Sequence, residues 1–220
     1  MDMLILKKKY NFLLILYIYF VFFSLLNSLS ASEFELDLAL GSTYDASTTR
    51  SLLGVSSNGE AELTGSNMRF IYLLDETLGY GLRLASHEGE DTKDLTAGYA
   101  YKITINETSP FVKFGKNFNE GSDFIFEGFG LAGLNLATMS VSHNILSEVS
   151  TSGTGLMLEG GVFAGVKNDD FSFGGGLSLP LDSYKGEFYW NVYGYTLNYD
   201  VELKKKFTFY LIFKSEIYEL

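Results

Sequence analysis

Residues 171–181 read FSFGGGLSLPL and alternate between two kinds of side chain at every step. The first set is Phe171, Phe173, Gly175, Leu177, Leu179 and Leu181, and the second is Ser172, Gly174, Gly176, Ser178 and Pro180. Successive side chains of a β-strand point to opposite faces of the sheet. This period of two therefore predicts a strand with one apolar face and one small or polar face.

The same alternation recurs along the chain on both sides of this stretch. It is clearest in the runs that begin near residues 33, 78, 95 and 189. Their apolar faces carry Phe34, Leu36, Leu38 and Leu40; Leu78, Tyr80, Leu82 and Leu84; Tyr99, Tyr101, Ile103 and Ile105; and Tyr195, Leu197, Tyr199 and Val201. After residue 32 the alternation is never replaced by a helical period. With the weaker runs included, the sequence predicts eight to ten strands in an all-β domain.

Residues typical of turns and loops separate the runs. Short turns are predicted at 75–77, 106–110, 119–123, 168–170 and the lysine triplet 204–206, and longer polar loops at about 45–61, 87–93 and 143–153. The stretch 123–141 is long for one strand, so a bend or a tight turn inside it stays open at this stage.

The N-terminus has the three parts of a secretory signal peptide. A positive segment, Lys7–Lys9, precedes an apolar run at 12–26 and a small, polar stretch at 27–32. The apolar run is short for a membrane helix of about 20 residues. We predict cleavage after Ser32, with cleavage after Ala31 or an uncleaved anchor as alternatives. The predicted organisation is a signal peptide at 1–32 and one domain at 33–220.

Charge and cysteine content exclude several classes of protein. Residues 1–32 hold three lysines and one aspartate, so the mature chain has 13 basic and 26 acidic side chains and a net charge of −13. That sign argues against nucleic-acid binding, which relies on a basic face. The chain has no cysteine, which excludes disulfides, thiolate metal sites and a lipid-carrying cysteine.

Alternating strands suit both a soluble β-sandwich and a membrane β-barrel, and three features favour the barrel. The clear runs are about ten residues long, as tilted membrane strands are. The faces opposite the apolar ones are rich in small residues with isolated charges, which suits a narrow interior. Aromatic residues, 16% of the chain, concentrate toward strand ends. We predict an antiparallel up-and-down transmembrane β-barrel of 8–10 strands, exported to a bacterial outer membrane.

Six isolated charges fall on the small, polar faces, which point into the interior of a barrel. They are Glu35, Asp37, Arg83, Lys102, Glu159 and Lys167. Three are acidic and three are basic, and an unpaired charge in a confined space is costly. We therefore predict that they pair across the barrel and close its lumen.

Several of these strands resemble known proteins. GYGLRLASHE (79–88), LTAGYAYKITI (95–105), GFGLAGLNLA (128–137) and LEGGVFAGVK (158–167), with the signal peptide and an aromatic final strand, resemble the small outer-membrane barrels of the OmpA/OmpX-like, "porin family" kind. This resemblance implies a Gram-negative outer-membrane location. It implies contact with outer-membrane lipid and lipopolysaccharide, and with the barrel-assembly machinery during insertion.

The residues that could carry chemistry are few. His87 and His143 fall in predicted loops, and the serine and glutamate beside His87 would point away from it on a strand. The acidic residues at 88–94 fit no known metal loop. We predict no enzyme activity, no cofactor and no metal. The predicted function is a structural or interaction role, with a narrow pore for small solutes, or a barrel enzyme acting on lipid, as alternatives.

Overall fold

The computed structural model describes residues 33–75, 77–91, 101–119, 123–144, 146–168, 171–181, 183–192 and 194–216. They form ten antiparallel strands: β1 (Glu33–Leu52), β2 (Val55–Leu73), β3 (Leu78–Asp91), β4 (Tyr101–Asn117), β5 (Phe124–His143), β6 (Val149–Asn168), β7 (Phe171–Pro180), β8 (Ser183–Val192), β9 (Tyr195–Lys205) and β10 (Thr208–Glu216). This part of the chain contains no helix long and apolar enough to cross a membrane. The all-β prediction is confirmed, while the signal peptide at 1–32 lies outside the described residues and stays a prediction.

The ten strands make eight crossings of the barrel. β9 and β10 follow one another along β1, where Ser51 pairs with Asn198 at one end and Glu33 with Glu216 at the other. β7 and β8 follow one another in the same way along β10 and β9. Each of these two crossings is interrupted near its middle. The prediction of 8–10 strands is confirmed as ten strands in eight crossings.

The hydrogen-bond ladder of the barrel is closed in its lower half and has a gap in its upper half. The lower ring runs from β1 through β7 to β10, which pairs with β1. In the upper half β8 pairs with β9, and the described residues of β6 and β8 form no ladder with each other. We call this gap between Val149–Leu158 and β8 the seam. Pro180, which has no N–H for a ladder, ends β7 at the base of the seam.

A band of exposed apolar side chains surrounds the lower half of the outer wall. Members of this outer apolar band include Leu40, Met68, Tyr72, Leu84, Phe114, Phe124, Phe126, Leu134, Leu156, Leu158, Val162, Val166, Phe171, Phe173, Leu179, Leu181, Phe207, Phe209 and Phe213. A closed ring leaves no unpaired backbone edge, which hydrocarbon requires. The band and the closed ring therefore coincide with the part of the barrel that crosses the membrane, and the seam begins at the upper border of the band.

Above the band the pattern of the two faces reverses. On β4, the outward residues change from Val112 and Phe114 in the band to Lys102 and Thr104 above it, while Ile103 and Ile105 are fully buried inside. Water surrounds the upper wall, so polar side chains face outward there and apolar ones pack inside, as in a soluble barrel. The prediction that Tyr101, Ile103 and Ile105 face lipid is wrong for this reason.

The prediction for the C-terminal aromatic run is also wrong, because this run too lies above the band. The sequence at 189–201 looked like one strand, but the structure divides it between β8 and β9 with a tight turn at Gly194, where φ is +85°. Tyr199 and Val201 face the interior of the upper half, where they are buried, and Asp200 between them is exposed.

The polar stretch predicted as a loop at 45–61 is a long hairpin. β1 continues to Leu52, and the turn is made by Leu53 and Gly54, whose φ angles are +53° and +81°. The strands also extend into the loops predicted at 87–93 and 143–153, so His87 and His143 lie in β3 and β5. Polar residues at these positions reflect a strand whose outer face meets water rather than a loop.

Of the remaining turn predictions, some fall between strands and others fall inside them. The turns at 75–77 and 119–123 fall at the connections from β2 to β3 and from β4 to β5, whereas 106–110 lies inside β4 and 123–141 lies almost wholly in β5, without a tight turn. The lysine triplet 204–206 is the end of β9 and the break before β10, where the chain continues in the same direction along β1.

Candidate functional site

The barrel interior contains four of the six charges predicted to line it. Glu35, Asp37, Arg83 and Glu159 are at most 3% exposed, and each takes part in an ion pair. They come from β1, β3 and β6, so strands far apart in sequence bring them together.

The other two predicted charges lie elsewhere. Lys102 is on the outer wall above the band, where its Nζ pairs with Glu88 Oε2 at 2.7 Å and both side chains are about half exposed. Lys167 shares the inward register of Glu159, but it is at the lower end of β6 and is exposed. The alternation predicts an inward Lys102 because its neighbours are apolar, and above the membrane that rule reverses.

The lower charge cluster consists of Glu35, Lys113, Glu127 and Lys214. Lys113 Nζ lies 2.7 Å from both Glu35 Oε2 and Glu127 Oε1. Lys214 Nζ lies 3.1 Å from Glu35 Oε2 and also binds Glu127. Each lysine thus contacts both carboxylates, and the ion pairs join β1 and β10 to β4 and β5 on the other side of the lumen.

The upper charge cluster follows one layer above and consists of Asp37, Arg69, Arg83, Glu107, Glu159 and Lys205. Arg69 donates from Nε to Asp37 and from Nη1 to Glu159, both at 2.7 Å. β2 and β6 stand on opposite sides of an eight-crossing barrel, so the pair between Arg69 and Glu159 spans its diameter.

The other ion pairs of the upper charge cluster are longer. Arg83 lies 3.4 Å from Glu159 and 3.5 Å from Glu107, and Lys205 lies 3.2 Å from Glu107. Tyr44 donates its hydroxyl to Glu107 at 2.6 Å. The Arg69 guanidinium also lies 3.7 Å from the centre of the Tyr210 ring, a cation–π contact.

The sequence alone did not point to eight further buried charges, which are Arg50, Arg69, Asp91, Glu107, Lys113, Glu127, Lys205 and Lys214. With these included, the buried charged side chains of the described residues are six acidic and six basic. Among the described residues the interior is therefore electrically balanced. The signal for Arg69 was present, since Met68, Phe70 and Tyr72 alternate with it on β2.

Above the charges the interior is apolar. The upper apolar cluster comprises Tyr44, Ala46, Leu63, Tyr101, Ile103, Ile105, Ala137, Met139, Val141, Phe188, Trp190, Tyr199, Val201 and Leu203. The rings of Tyr101 and Tyr199 stack at 4.6 Å between centroids. At the upper end of the interior, Arg50 forms an ion pair with Asp91, with 2.8 Å between Nη2 and Oδ2. Asp91 also accepts hydrogen bonds from the hydroxyl groups of Thr48, at 2.5 Å, and Tyr199, at 3.1 Å.

The two histidines are separated from the residues that could have made them catalytic. His87 faces inward and is 1% exposed, whereas Ser86 and Glu88 face outward. His143 is partly buried beside the ring of Tyr101. Of the acidic residues at 88–94, Glu88 points outward and Asp91 inward, and Asp94 lies outside the described residues. Within the described part of the chain, the acidic and histidine side chains form no group of three that could hold a metal ion.

His87 is a buried titratable group just above the outer apolar band. Its ring stacks on that of Tyr44 at 3.9 Å, and among the described residues neither ring nitrogen has a hydrogen-bond partner. Burial lowers the pKa of His87 to about 4. Glu107 opposes this shift, and Lys205 and Arg83 add to it. The imidazole is therefore neutral at pH 7.

This arrangement predicts a pH dependence of stability. Because the folded-state pKa of His87, about 4, lies below the unfolded value near 6.5, the unfolded chain binds the extra proton between these pH values. We expect the free energy of unfolding to fall by about 3 kcal/mol from pH 7 to pH 4 through this residue. Urea unfolding in lipid vesicles of wild type and His87→Phe measures it. Parallel pH curves for the two proteins would contradict the prediction.

The seam is the second feature of the interior. Leu181 N–H donates to Leu158 O at 2.8 Å at its base. The apolar residues Leu146, Val149, Tyr184 and Leu197 pack against the upper apolar cluster as partly buried side chains. Val149 opens β6 and Tyr184 lies in β8, so apolar groups flank the gap on both sides.

Comparison with solved structures gives the class of this fold. The outer membrane protein OprG from Pseudomonas aeruginosa matches with a TM-score of 0.59 at 17% identity, over 86% of this chain and 97% of that chain. AlkL matches with a TM-score of 0.48 at 8% identity (87% and 93%), and Ail of Yersinia pestis with 0.38 at 11% identity (82% and 99%). Neither a family model nor a curated protein sequence matches the chain.

The fold is that of the small outer-membrane β-barrel proteins, and the predicted resemblance to them is confirmed. At these identities the similarity shows the fold alone, and the location in a bacterial outer membrane stays a prediction. Cleavage of the signal peptide stays a prediction.

Proposed function

We propose that the protein is an outer-membrane barrel with a structural or interaction role, whose lumen is closed at the level of the membrane by paired charges. The observation that carries this proposal is the ion pair between Arg69 and Glu159, which spans the barrel diameter at 2.7 Å. The lower charge cluster forms a second layer beneath it.

Two physical arguments support closure. The interior of an eight-stranded barrel is just wide enough to be filled by side chains, and Arg69 and Arg83 are both 0% exposed. An ion moving along the axis would have to separate buried pairs that stabilise each other, which leaves charges unpaired in a poorly hydrated space. The polar upper wall is then the surface available to lipopolysaccharide, the predicted partner.

Planar-bilayer recording tests closure. We expect purified wild-type protein to show no steady conductance, and Arg83→Ala to add brief openings because a large side chain leaves the upper charge cluster. Lys102→Ala is the matched control, since it removes a charge from the outer wall, and it should behave as wild type. A large, steady wild-type conductance would defeat this proposal and favour the narrow-pore alternative.

A second candidate function is favoured by the seam. The charge clusters block the axial route, but the upper apolar cluster lies beside a gap in the wall at the upper border of the outer apolar band. A small apolar molecule that enters from outside meets apolar side chains and a lateral exit toward lipid. We propose that the barrel passes such molecules sideways into the membrane.

Vesicle experiments test this lateral route. Protein in vesicles should speed the transfer of a sparingly soluble aromatic fluorophore, such as a naphthalene derivative, from the medium into the bilayer. Joining the seam by paired cysteines at Thr154 and Lys185, both outward and exposed, should abolish the gain, and reduction should restore it. Equal transfer with the seam joined and open would rule out the route. Absence of enzyme activity remains a prediction.

A further inference from the structure

The upper end of the seam is crossed by one indole group. Trp190 of β8 donates from Nε1 to the backbone oxygen of Ser147 at 2.7 Å. Ser147 lies in the connection between β5 and β6, on the opposite side of the seam. The hydrogen bond therefore ties the edge of β8 that lacks a ladder to the segment that precedes β6.

The ring of Trp190 is anchored on its own side by packing. Trp190 is 5% exposed, and its ring centroid lies 6.2 Å from those of Tyr101 and Tyr199 in the upper apolar cluster. A buried indole N–H needs an acceptor, and here the acceptor comes from the facing segment. Trp190 thus links the packing of the upper apolar cluster to the position of β8 relative to the β5–β6 connection.

The strand that carries Trp190 has a ladder on one side only among the described residues. β8 is laddered to β9 from Ser183 to Val192, and β9 to β1, so the hairpin stays attached to the barrel. The break between β7 and β8, after Pro180, and the break between β9 and β10, at residues 206–207, lie at the same level of the barrel. Below that level β7 is fixed to β6 by pairs from Pro180 to Phe171. Tilting of β8 therefore widens the seam without breaking the lower ring.

We propose that Trp190 is the latch of the seam: its hydrogen bond to Ser147 holds β8 against the β5–β6 connection, and its release opens the lateral route. This regulation rests on the lateral route proposed above. The state of the latch is nevertheless a property of the wall, and it can be measured without any transported molecule.

Distance measurement by dipolar broadening in continuous-wave electron paramagnetic resonance tests the latch. The chain has no cysteine, so spin labels can be placed at Thr154 on β6 and Lys185 on β8. Trp190→Phe keeps a ring and loses the N–H. We expect it to add a component longer by about one strand spacing, ~5 Å, and Trp190→Ala to make that component dominant. Labels at Lys185 and Asp200, within the β8–β9 hairpin, should keep their wild-type distance.

Phe188→Leu is the matched control for lost packing. Phe188 is a buried ring on the same strand, and its replacement should leave the distance across the seam as in wild type. Unchanged distances in both Trp190 variants, or an equal change in Phe188→Leu, would overturn the latch. A seam that widens in Trp190→Phe without faster transfer of the fluorophore would uphold the latch and defeat the lateral route.

Discussion

Arg69→Met is expected to lower the free energy of unfolding by about 3–5 kcal/mol. Arg69 is fully buried and donates to Asp37 and Glu159 at 2.7 Å each. Methionine fills much of the volume but leaves Asp37 as a buried carboxylate without its cation. Of its two arginine contacts, Glu159 keeps the longer one, to Arg83 at 3.4 Å. Urea unfolding in lipid vesicles, followed by tryptophan fluorescence, measures the loss.

A second substitution separates charge from packing. Asp37→Asn in the Arg69→Met background removes the stranded carboxylate, so the double variant should recover a large part of the loss. Lys206→Met is the control for a surface pair, since Lys206 contacts Asp45 and Glu62 on the exposed wall and should have little effect. A loss in the double variant as large as in Arg69→Met alone would show that packing, not the unpaired charge, dominates.

The lower half of the barrel could be predicted from alternation because the membrane separates the two faces chemically. Leu179 and Ser178 are neighbours in sequence, and the structure places the first outward and the second, 1% exposed, in the interior. Hydrocarbon selects apolar side chains outside, and the narrow lumen selects small or charged ones inside. The same reasoning placed Glu35 and Asp37 on the inward face.

The upper half could not be predicted by the same rule because both of its faces change character. Outside the membrane the wall meets water and the interior is a packed apolar core, so Lys102 faces outward and Ile103 inward. Nothing in the alternation itself marks where along β4 the surroundings change. Which face is apolar depends on the depth of a residue in the membrane, and not only on whether its position along the strand is odd or even.

Two irregularities also escape a local reading. The pairing of β1 shifts between Leu38 and Ser42, so the inward positions change from Glu35 and Asp37 to Ser42 and Tyr44. A bulge inserts a residue and reverses the parity of everything that follows. Partners such as Arg69 and Glu159, 90 positions apart, depend on the closure of the whole barrel. Local patterns contain no information about which strands end up opposite each other.

The depth argument gives the second large prediction, Leu211→Arg. Leu211 is on the outward register of β10, between Phe209 and Phe213, and pairs with Leu38. We expect this substitution to destabilise the barrel by about 2–4 kcal/mol, because an arginine near the middle of the bilayer must be taken out of water. Unfolding in vesicles of defined lipid composition measures the difference from wild type.

Leu181→Arg provides the matched comparison, because it makes the same change of side chain at a different depth. Leu181 is 68% exposed at the upper border of the outer apolar band, where the guanidinium reaches the interface. We expect a loss of only about 0–1 kcal/mol there. Comparing the losses in free energy of unfolding of the two variants locates the membrane on the outer wall, without reference to the charges inside the barrel. Equal losses would mean that the bilayer extends over the base of the seam. The lateral opening would then lie in hydrocarbon, where unpaired strand edges are not stable.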